Sequence, residues 1–275
     1  MTTKTALVTG ASSGIGESTA RKLHNLGFTV YGAARRTDRL QGLGSDGIRT
    51  LAMDVTDEDS MRAGVARIVA ETGRLDVLVN NAGYGSYGAI EDVPMDEARR
   101  QFDVNVFGAM RLSQLVLPHM RAQQSGTIVN ISSMGGKIYT PLGGWYHGTK
   151  FAVEALSDCL RLEVAPFGIH VVVIEPGGIA TEWAGIAADS LETSSASGPY
   201  ARQAASVAKT LRSGANRDSS PSVVADAIAK AVTASKPRTR YAVGFGAKPL
   251  ITARRLLGDR AFDFVIRRAM GMRGD

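Results

Sequence analysis

The sequence predicts a single-domain α/β protein, a doubly wound parallel sheet of about seven strands with helices on both faces. Three observations lead there. Short apolar runs alternate with helix-length amphipathic segments, the pattern of a parallel sheet covered on both sides. A glycine-rich turn, Thr9-Gly10-Ala11-Ser12-Ser13-Gly14-Ile15-Gly16, follows the first apolar run and opens a helix. A length of 275 residues with 44% apolar content suffices for one large core and little else.

Strands are predicted at Thr5–Val8, Thr29–Ala33, Ile48–Met53, Val77–Val79, Thr127–Ile131, His170–Ile174 and Arg240–Val243. Helices fall between them at Gly14–Leu26, Asp57–Thr72, a long one about Pro94–Arg121, and Trp145–Val164. Gly27 and Gly73 end the first two helices. Thr56 with Asp59 reads as a capping box, and Ser220-Pro221 as a cap followed by proline at the first helical position. Residues 182–220 crowd Ser, Ala, Gly and Thr with no clear strand. They read as a mobile lid past the carboxyl end of the sheet, where open α/β folds bind their ligands. The domain is expected to span 1–246, lid included, with 247–275 a basic helical extension. In the extension Phe262, Val265, Ile266 and Ala269 recur on one helical face, and Arg260, Asp263 and Arg267 take the other. A helix packed on its own body or on a partner subunit is the preferred reading, ahead of a basic amphipathic helix resting on an anionic membrane.

The net charge is +6. Lys236 to Asp275 holds ten basic and three acidic side chains, a balance of +7, which leaves −1 for residues 1–235. A nearly neutral body with 6% aromatic content speaks against a nucleic-acid module. No apolar run is long enough to cross a bilayer, and the first strand begins too close to Met1 for a signal peptide, so a cytoplasmic protein is expected. The single cysteine, Cys159, excludes an internal disulfide and is expected to be a small buried apolar residue. No pair among His24, His119, His147 and His170 has ligand spacing with acidic support, so no metal is expected.

Tyr146 and Lys150 stand four residues apart in Tyr146-His147-Gly148-Thr149-Lys150 and project from one helix face. A free tyrosine titrates near pH ~10, and a neighbouring ammonium is a means of lowering it by roughly 2 to 3 units. The turn Gly10-x-x-x-Gly14-x-Gly16 lets backbone approach a pyrophosphate, whose charge meets the helix N-terminus; a plain turn is the alternative. After the second strand, Ala33-Ala34-Arg35-Arg36 stands where an acid would bond an adenosine ribose. Arginine suits a 2′-phosphate, so NADP(H) is favoured over NAD(H), with Arg35 the first choice and Arg36 the second, against a solvated basic loop. Asp54 and Asn80-Asn81-Ala82-Gly83 sit where adenine and its ribose should lie, although Asp54 could be a turn acceptor and Asn81 a left-handed turn residue.

From about Thr5 to Val243 the chain resembles the short-chain dehydrogenase/reductase superfamily, and within it NADP-preferring members that are hydroxysteroid- or retinol-dehydrogenase-like. Thr9 to Gly16, Asn80 to Gly83, Asn105, Ser133, Tyr146, Lys150 and Pro176-Gly177 fall in the family's order and spacing, Ser133 thirteen residues before Tyr146. The resemblance implies a Rossmann-type fold and a catalytic set: Ser133 polarising the substrate oxygen, Tyr146 exchanging the proton, Lys150 lowering the tyrosine pKa while holding the nicotinamide ribose, and Asn105 holding a water that links Lys150 to solvent. It implies a cofactor cradle of Gly10, Ser12, Ser13, Gly14, Ile15, Gly16, Arg35, Arg36, Asp54, Val55, Asn81, Ala82, Gly83, Tyr146, Lys150, Pro176, Gly177, Ile179 and Thr181. In it Asp54 would meet the adenine amine, and Ile179 and Thr181 the carboxamide. On the residues alone, Asn105 could equally be a satisfied core amide, and Ser132 could replace Ser133 in a shifted register. His147-Gly148-Thr149 departs from the commoner Ala-Ser before the lysine, and His147 is expected to point away from the face of Tyr146.

The activity expected is reversible hydride transfer between NADP(H) and a small-molecule secondary alcohol or ketone, with primary alcohol or aldehyde open, in a homo-oligomer. Leu142, Trp145, Trp183 and Ile186 could make an apolar substrate wall beside Ser133, with Tyr139 a polar point. Such a wall suits steroid-like, retinoid-like or acyl substrates. The alternatives are an acyl-carrier or other ketoreductase of the same fold, a non-catalytic NADP(H)-binding redox sensor, and an interaction protein working through its basic tail.

Overall fold

The computed structural model describes residues 3–214 and 217–272. Its elements run β1 (Thr5–Thr9), α1 (Gly14–Asn25), β2 (Thr29–Ala34), α2 (Gln41–Ser45), β3 (Arg49–Ala52), α3 (Glu58–Thr72), β4 (Val77–Asn80), α4 (Met95–Phe102) and α5 (Ala109–Gln123). They continue with β5 (Gly126–Ile131), α6 (Gly144–Val164), β6 (Ile169–Pro176), α7 (Trp183–Ser195), α8 (Ala201–Gly214), α9 (Ser222–Thr233), β7 (Arg240–Val243), α10 (Ala247–Leu256) and α11 (Asp259–Ala269).

The strands form one seven-stranded sheet ordered β3-β2-β1-β4-β5-β6-β7, each pair parallel. The central strands β1, β4 and β5 are buried along nearly their whole length because both faces are covered. In β1, Ala6 and Val8 join the core beneath α1 and α9, while Leu7 joins the opposite core beneath α3 and α5. The strand order reverses at β1, which pairs with β2 on one side and β4 on the other. In open α/β folds such a switch point, at the carboxyl edge of the sheet, is where the ligand crevice lies.

Several expectations need correction. The helix predicted over 94–121 is interrupted by a wider, π-type stretch at Asp103–Gly108, which joins α4 to α5 and carries Asn105. A Cβ on Gly108 would lie 2.4 Å from the Val55 carbonyl oxygen, so only glycine lets this stretch seat against the loop after β3. Asp57, not Thr56, caps α3: its carboxylate accepts from the amides of Asp59 at 2.9 Å and Ser60 at 3.1 Å. Pro221, expected as the first helical residue, is instead the N-cap, and the helix begins at Ser222, whose amide donates to Ser220 Oγ at 3.3 Å. The Ser- and Ala-rich segment holds two helices, α7 and α8, whose small residues Ala187, Ala188, Ala204 and Ala208 are buried in a shared core. Cys159 is exposed, because it falls on the solvent side of α6 rather than on the sheet side.

The extension folds back on its own body. Phe262 and Ile266 of α11 are buried against Ile138, while Val265 and Ala269, placed by periodicity on the same face, are exposed. No helix among the described residues is long and apolar enough to cross a membrane.

Candidate active site

The crevice at the switch point is lined by glycines that a side chain would block. Gly10 and Gly14 have φ of +64° and +56°, and a Cβ on Gly10 would lie 2.9 Å from both Ala82 Cα and Asn81 Nδ2. Gly16 packs the first turn of α1 under this bend, where a Cβ would lie 2.2 Å from the Gly10 carbonyl oxygen. Ser12, Ser13, Gly14 and Ile15 remain partly exposed at the start of α1, and no side chain caps that helix. The first amides of α1 are thus left to an anion. Val55 lies buried at the adjacent edge.

Asn81 braces the bend. Its Nδ2 donates to the Thr9 carbonyl at 2.9 Å and the Gly10 carbonyl at 3.2 Å, and Thr9 Oγ1 accepts from the Asn81 and Ala82 amides at 3.0 Å each. Asn81 is not among the described residues with a left-handed backbone. Asp54 Oδ1 closes a turn by accepting from the amide and hydroxyl of Thr56, at 2.9 and 2.8 Å, while Oδ2 faces Arg35 at 4.0 Å. Arg35 and Arg36 are exposed just beyond β2. Arg39, which the sequence reading passed over, reaches across the crevice and pairs with both carboxylate oxygens of Glu182 at 3.1 Å. The loop from Pro176 and Gly177 through Ile179 to Thr181 closes the same side, and Thr181 Cγ2 would lie 3.0 Å from a Cβ on Gly14.

Ser133, Tyr146 and Lys150 come together at the carboxyl ends of β5 and β4. Ser133 caps a short 3₁₀ turn at Met134–Gly136, its Oγ accepting from the Gly135 amide at 3.0 Å, and its hydroxyl lies beside the Tyr146 phenol, where it acts to lower the phenol pKa. Lys150 Nζ stands 5.9 Å from the centre of the Tyr146 ring and donates to the Ile131 carbonyl at 3.0 Å. Ser133 is thus the serine beside the phenol, while the Ser132 hydroxyl is buried and unpartnered. Asn105 is a satisfied amide, accepting from the Tyr84 amide at 3.0 Å and donating to the Tyr84 carbonyl at 2.9 Å and Thr149 Oγ1 at 3.1 Å. Its Oδ1 would lie 3.0 Å from a Cβ on Gly83, with Lys150 Nζ at 3.8 Å from that same point.

Burial pushes the Tyr146 phenol up to about 12 against the lowering effect of the Ser133 hydroxyl, and pulls Lys150 down to about 8 against the supporting charge of Glu154. At the phenol, burial is the larger of the two effects. The cause is enclosure: the rings of Trp183, His147 and Tyr87 stand 5.1, 5.7 and 5.9 Å from that of Tyr146.

Tyr87 is a further residue that sequence reasoning missed, and His147, expected to point away from the face of Tyr146, instead sets its ring edge-on 5.7 Å from the phenol ring. His147 is buried, with Nδ1 2.9 Å from the Gly135 carbonyl and Nε2 3.0 Å from the Thr140 amide. A carbonyl needs a donor and an amide needs an acceptor, so the ring is neutral with its proton on Nδ1. Burial, the larger effect, lowers its pKa while the Gly135 contact raises it. His147 thereby ties the Ser133 turn to the first turn of α6. A histidine placed beside a tyrosine in sequence carries no signal of this; only the fold brings residues 133–140 back over α6.

Of the proposed substrate wall, Trp183 and the buried Leu142 lie in the cluster around Tyr146. Leu142 has φ of +64°, an uncommon backbone for a branched side chain. Trp145 is absent from the ring contacts of Tyr146, and Ile186 is exposed. Tyr139 turns to the extension, donating to Asp263 at 2.8 Å and lining a cavity of about 390 Å³ with Thr140, Gln203, Ile266 and Arg267.

The family model for short chain dehydrogenases matches residues 4–190. The chain belongs to this family. An oxidoreductase of Botryotinia fuckeliana is 37% identical over 247 residues, covering 88% of this chain and 89% of that protein. A 3-ketodihydrosphingosine reductase of Bacteroides thetaiotaomicron is 45% identical over 175 residues, 64% of each chain. The crystal structure of a short-chain dehydrogenase from Streptomyces avermitilis superposes with a TM-score of 0.82 at 36% identity, covering 100% of this chain and 99% of that one. A metagenomic short-chain oxidoreductase in complex with NADP matches with a TM-score of 0.70 at 27% identity, covering 88% of this chain and 97% of that one. The protein is thus an oxidoreductase of the short-chain dehydrogenase family, which acts on small molecules.

Proposed function

We propose that the protein catalyses reversible hydride transfer between NADP(H) and a secondary alcohol or its ketone, of lipophilic character. The observation that carries this reading is the meeting of three side chains: the Ser133 hydroxyl beside the Tyr146 phenol, with Lys150 Nζ 5.9 Å from the centre of the phenol ring. The crevice fits a dinucleotide, since its positive-φ glycines, the open amides of α1 and the exposed Arg35 and Arg36 suit a pyrophosphate and a 2′-phosphate. When bound, NADP(H) supplies or accepts the hydride. Ser133 and Tyr146 hold the substrate oxygen between two hydroxyl donors, and Tyr146 passes the proton to it or takes it back. Lys150 favours the ionised phenol, and the surrounding rings keep water from the oxygen.

NADP preference is supported by the arginines and by the NADP complex of the metagenomic relative. Ketone chemistry on a lipophilic substrate is supported by Trp183 and Leu142 at the phenol and by the name of the Bacteroides relative. The test is a screen of lipophilic ketones and alcohols by NADPH absorbance. Substrate-dependent oxidation of NADPH, faster than that of NADH, is expected. NADPH binding with no turnover across the screen would instead support the redox-sensor reading.

A further inference from the structure

Beneath the catalytic helix lies a buried acidic pair that the reaction as described does not use. Glu154 follows Lys150 by one helical turn on α6, Glu175 sits near the end of β6, and both are 4% exposed. Glu154 Oε2 is bound by two cations, Lys137 Nζ at 2.8 Å and Arg240 Nε at 3.0 Å. The same Arg240 Nε reaches Glu175 Oε1 at 3.4 Å without forming a hydrogen bond, so one guanidinium nitrogen touches both carboxyls. Asp158 completes the group through Arg240 at 2.6 Å and is also paired with Arg161.

Two oxygens in this group lack partners: Glu154 Oε1 and Glu175 Oε1 are both buried with no hydrogen bond. Two ionised carboxylates are acceptors only, so neither can satisfy the other, and leaving both unpaired in the interior is costly. A single proton between them gives each a partner. Arg240 Nε, 3.0 Å from Glu154 Oε2 and 3.4 Å from Glu175 Oε1, draws the two carboxyls together, and burial followed by the charge of Glu154 pushes Glu175 up to about 7. Glu154, clamped by two cations, is the ionised member, and Glu175 carries the proton.

We propose that Glu154 and Glu175 share one proton as a buried carboxyl pair, and that Glu154, holding the pair's negative charge one turn from Lys150, is the positioning residue that keeps Lys150 an ammonium. Lys150 needs this support because it is itself buried, and Glu154 is the charge that opposes its desolvation. The groups facing the pair are Lys150 and Asp158 from α6, Lys137 from the turn after β5, and Arg240 from β7, and none of the last three touches Lys150 in the contacts described. The proposal rests on the reading of Lys150 as the partner of Tyr146, but its test does not require turnover.

The test is magnetic resonance of full-length protein carrying label at lysine Cε and at the glutamate carboxyl, titrated from acid to alkaline pH. The Lys150 signal is assigned by its loss in Lys150→Arg, and the Glu175 signal by its loss in Glu175→Gln. In the parent, one glutamate carboxyl is expected to titrate near neutrality, and that signal to vanish in Glu175→Gln. In Glu154→Gln the Lys150 midpoint is expected to fall by roughly one unit or more, and in Glu154→Asp, which keeps the charge but moves it, to fall by a smaller amount. Glutamates that all titrate in the ordinary acid range would overturn the shared proton. A Lys150 midpoint unchanged in Glu154→Gln would overturn the positioning role. Should Glu154→Gln not fold, Glu154→Asp decides, since the shorter acid moves the charge and must still displace the Lys150 midpoint by a measurable amount; no displacement counts against the proposal. If hydride transfer itself is the wrong reading, these titrations persist while no substrate is turned over.

Discussion

The indole of Trp183 stands 5.1 Å from the ring of Tyr146, and its Cζ2 takes the space that a Cβ on Gly85 would need, 2.6 Å away. The first residue of α7 is therefore the residue that covers the phenol. Because burial is the main cause of the high Tyr146 pKa, Trp183→Ala is expected to lower it by about one unit. The rising limb of kcat/KM against pH for alcohol oxidation should move to lower pH by that amount. A limb that stays in place means Trp183 does not shield the phenol.

Tyr146→Phe removes the exchangeable proton and leaves the ring packed between Trp183 and Tyr87. A fall in kcat of at least about a hundredfold is expected, equivalent to ~2.7 kcal/mol, with NADPH binding nearly unchanged. A Phe variant within tenfold of the parent would rule out Tyr146 as the acid and base.

Arg35 projects outward beyond β2 with only a 4.0 Å contact to Asp54, so its charge is available to a 2′-phosphate. The parent is expected to use NADPH in preference to NADH, and Ala34→Asp with Arg35→Ala to reverse that order. Steady-state kinetics with both cofactors decide the matter; equal efficiency in the parent removes the reasoning from the arginines.

How much of this was legible beforehand depends on whether a feature is local. Apolar runs and glycines are local signals, and they placed all seven strands within two residues of their positions. Tyr146 and Lys150 could be paired because four residues on a helix fix a common face. What failed was long-range. The phenol is enclosed by Trp183 and Tyr87, which no spacing rule ties to residue 146. Glu175 and Arg240 meet Glu154 only because β6 and β7 pair in register. The α7–α8 hairpin was hidden by its composition, since small residues that resemble a loop also let two helices pack closely.

Glu175 is pushed up to about 7 from an ordinary 4.5, mainly by burial and then by the charge of Glu154. A raised acid binds more protons in the folded than in the unfolded state between these two values, so its contribution to stability declines as pH rises through that window. The melting temperature is expected to fall between about pH 5 and pH 7 by a component absent from Glu175→Gln. Parallel curves for parent and variant over that range would show that Glu175 ionises normally.

Phe262 is fully buried and Ile266 is 3% exposed, and both pack on Ile138, five residues beyond Ser133. Each such side chain returned to water costs roughly 1.5–3 kcal/mol, so losing both takes about 3–6 kcal/mol from a total that is ordinarily 5–15 kcal/mol. Truncation after Gly246 also strips Tyr139 of its Asp263 partner and uncovers the turn that holds Ser133. A lower melting temperature is therefore expected, together with reduced kcat, because the turn loses its outer support. The exposed side of α11, with Phe264 and Val265 beside Arg260 and Arg268, leaves room for a membrane role on top of this packing. The two are separable by measuring the truncated protein both in a melt and in sedimentation with anionic vesicles. An unchanged melting temperature and mass combined with lost sedimentation would make α11 a membrane contact rather than part of the core.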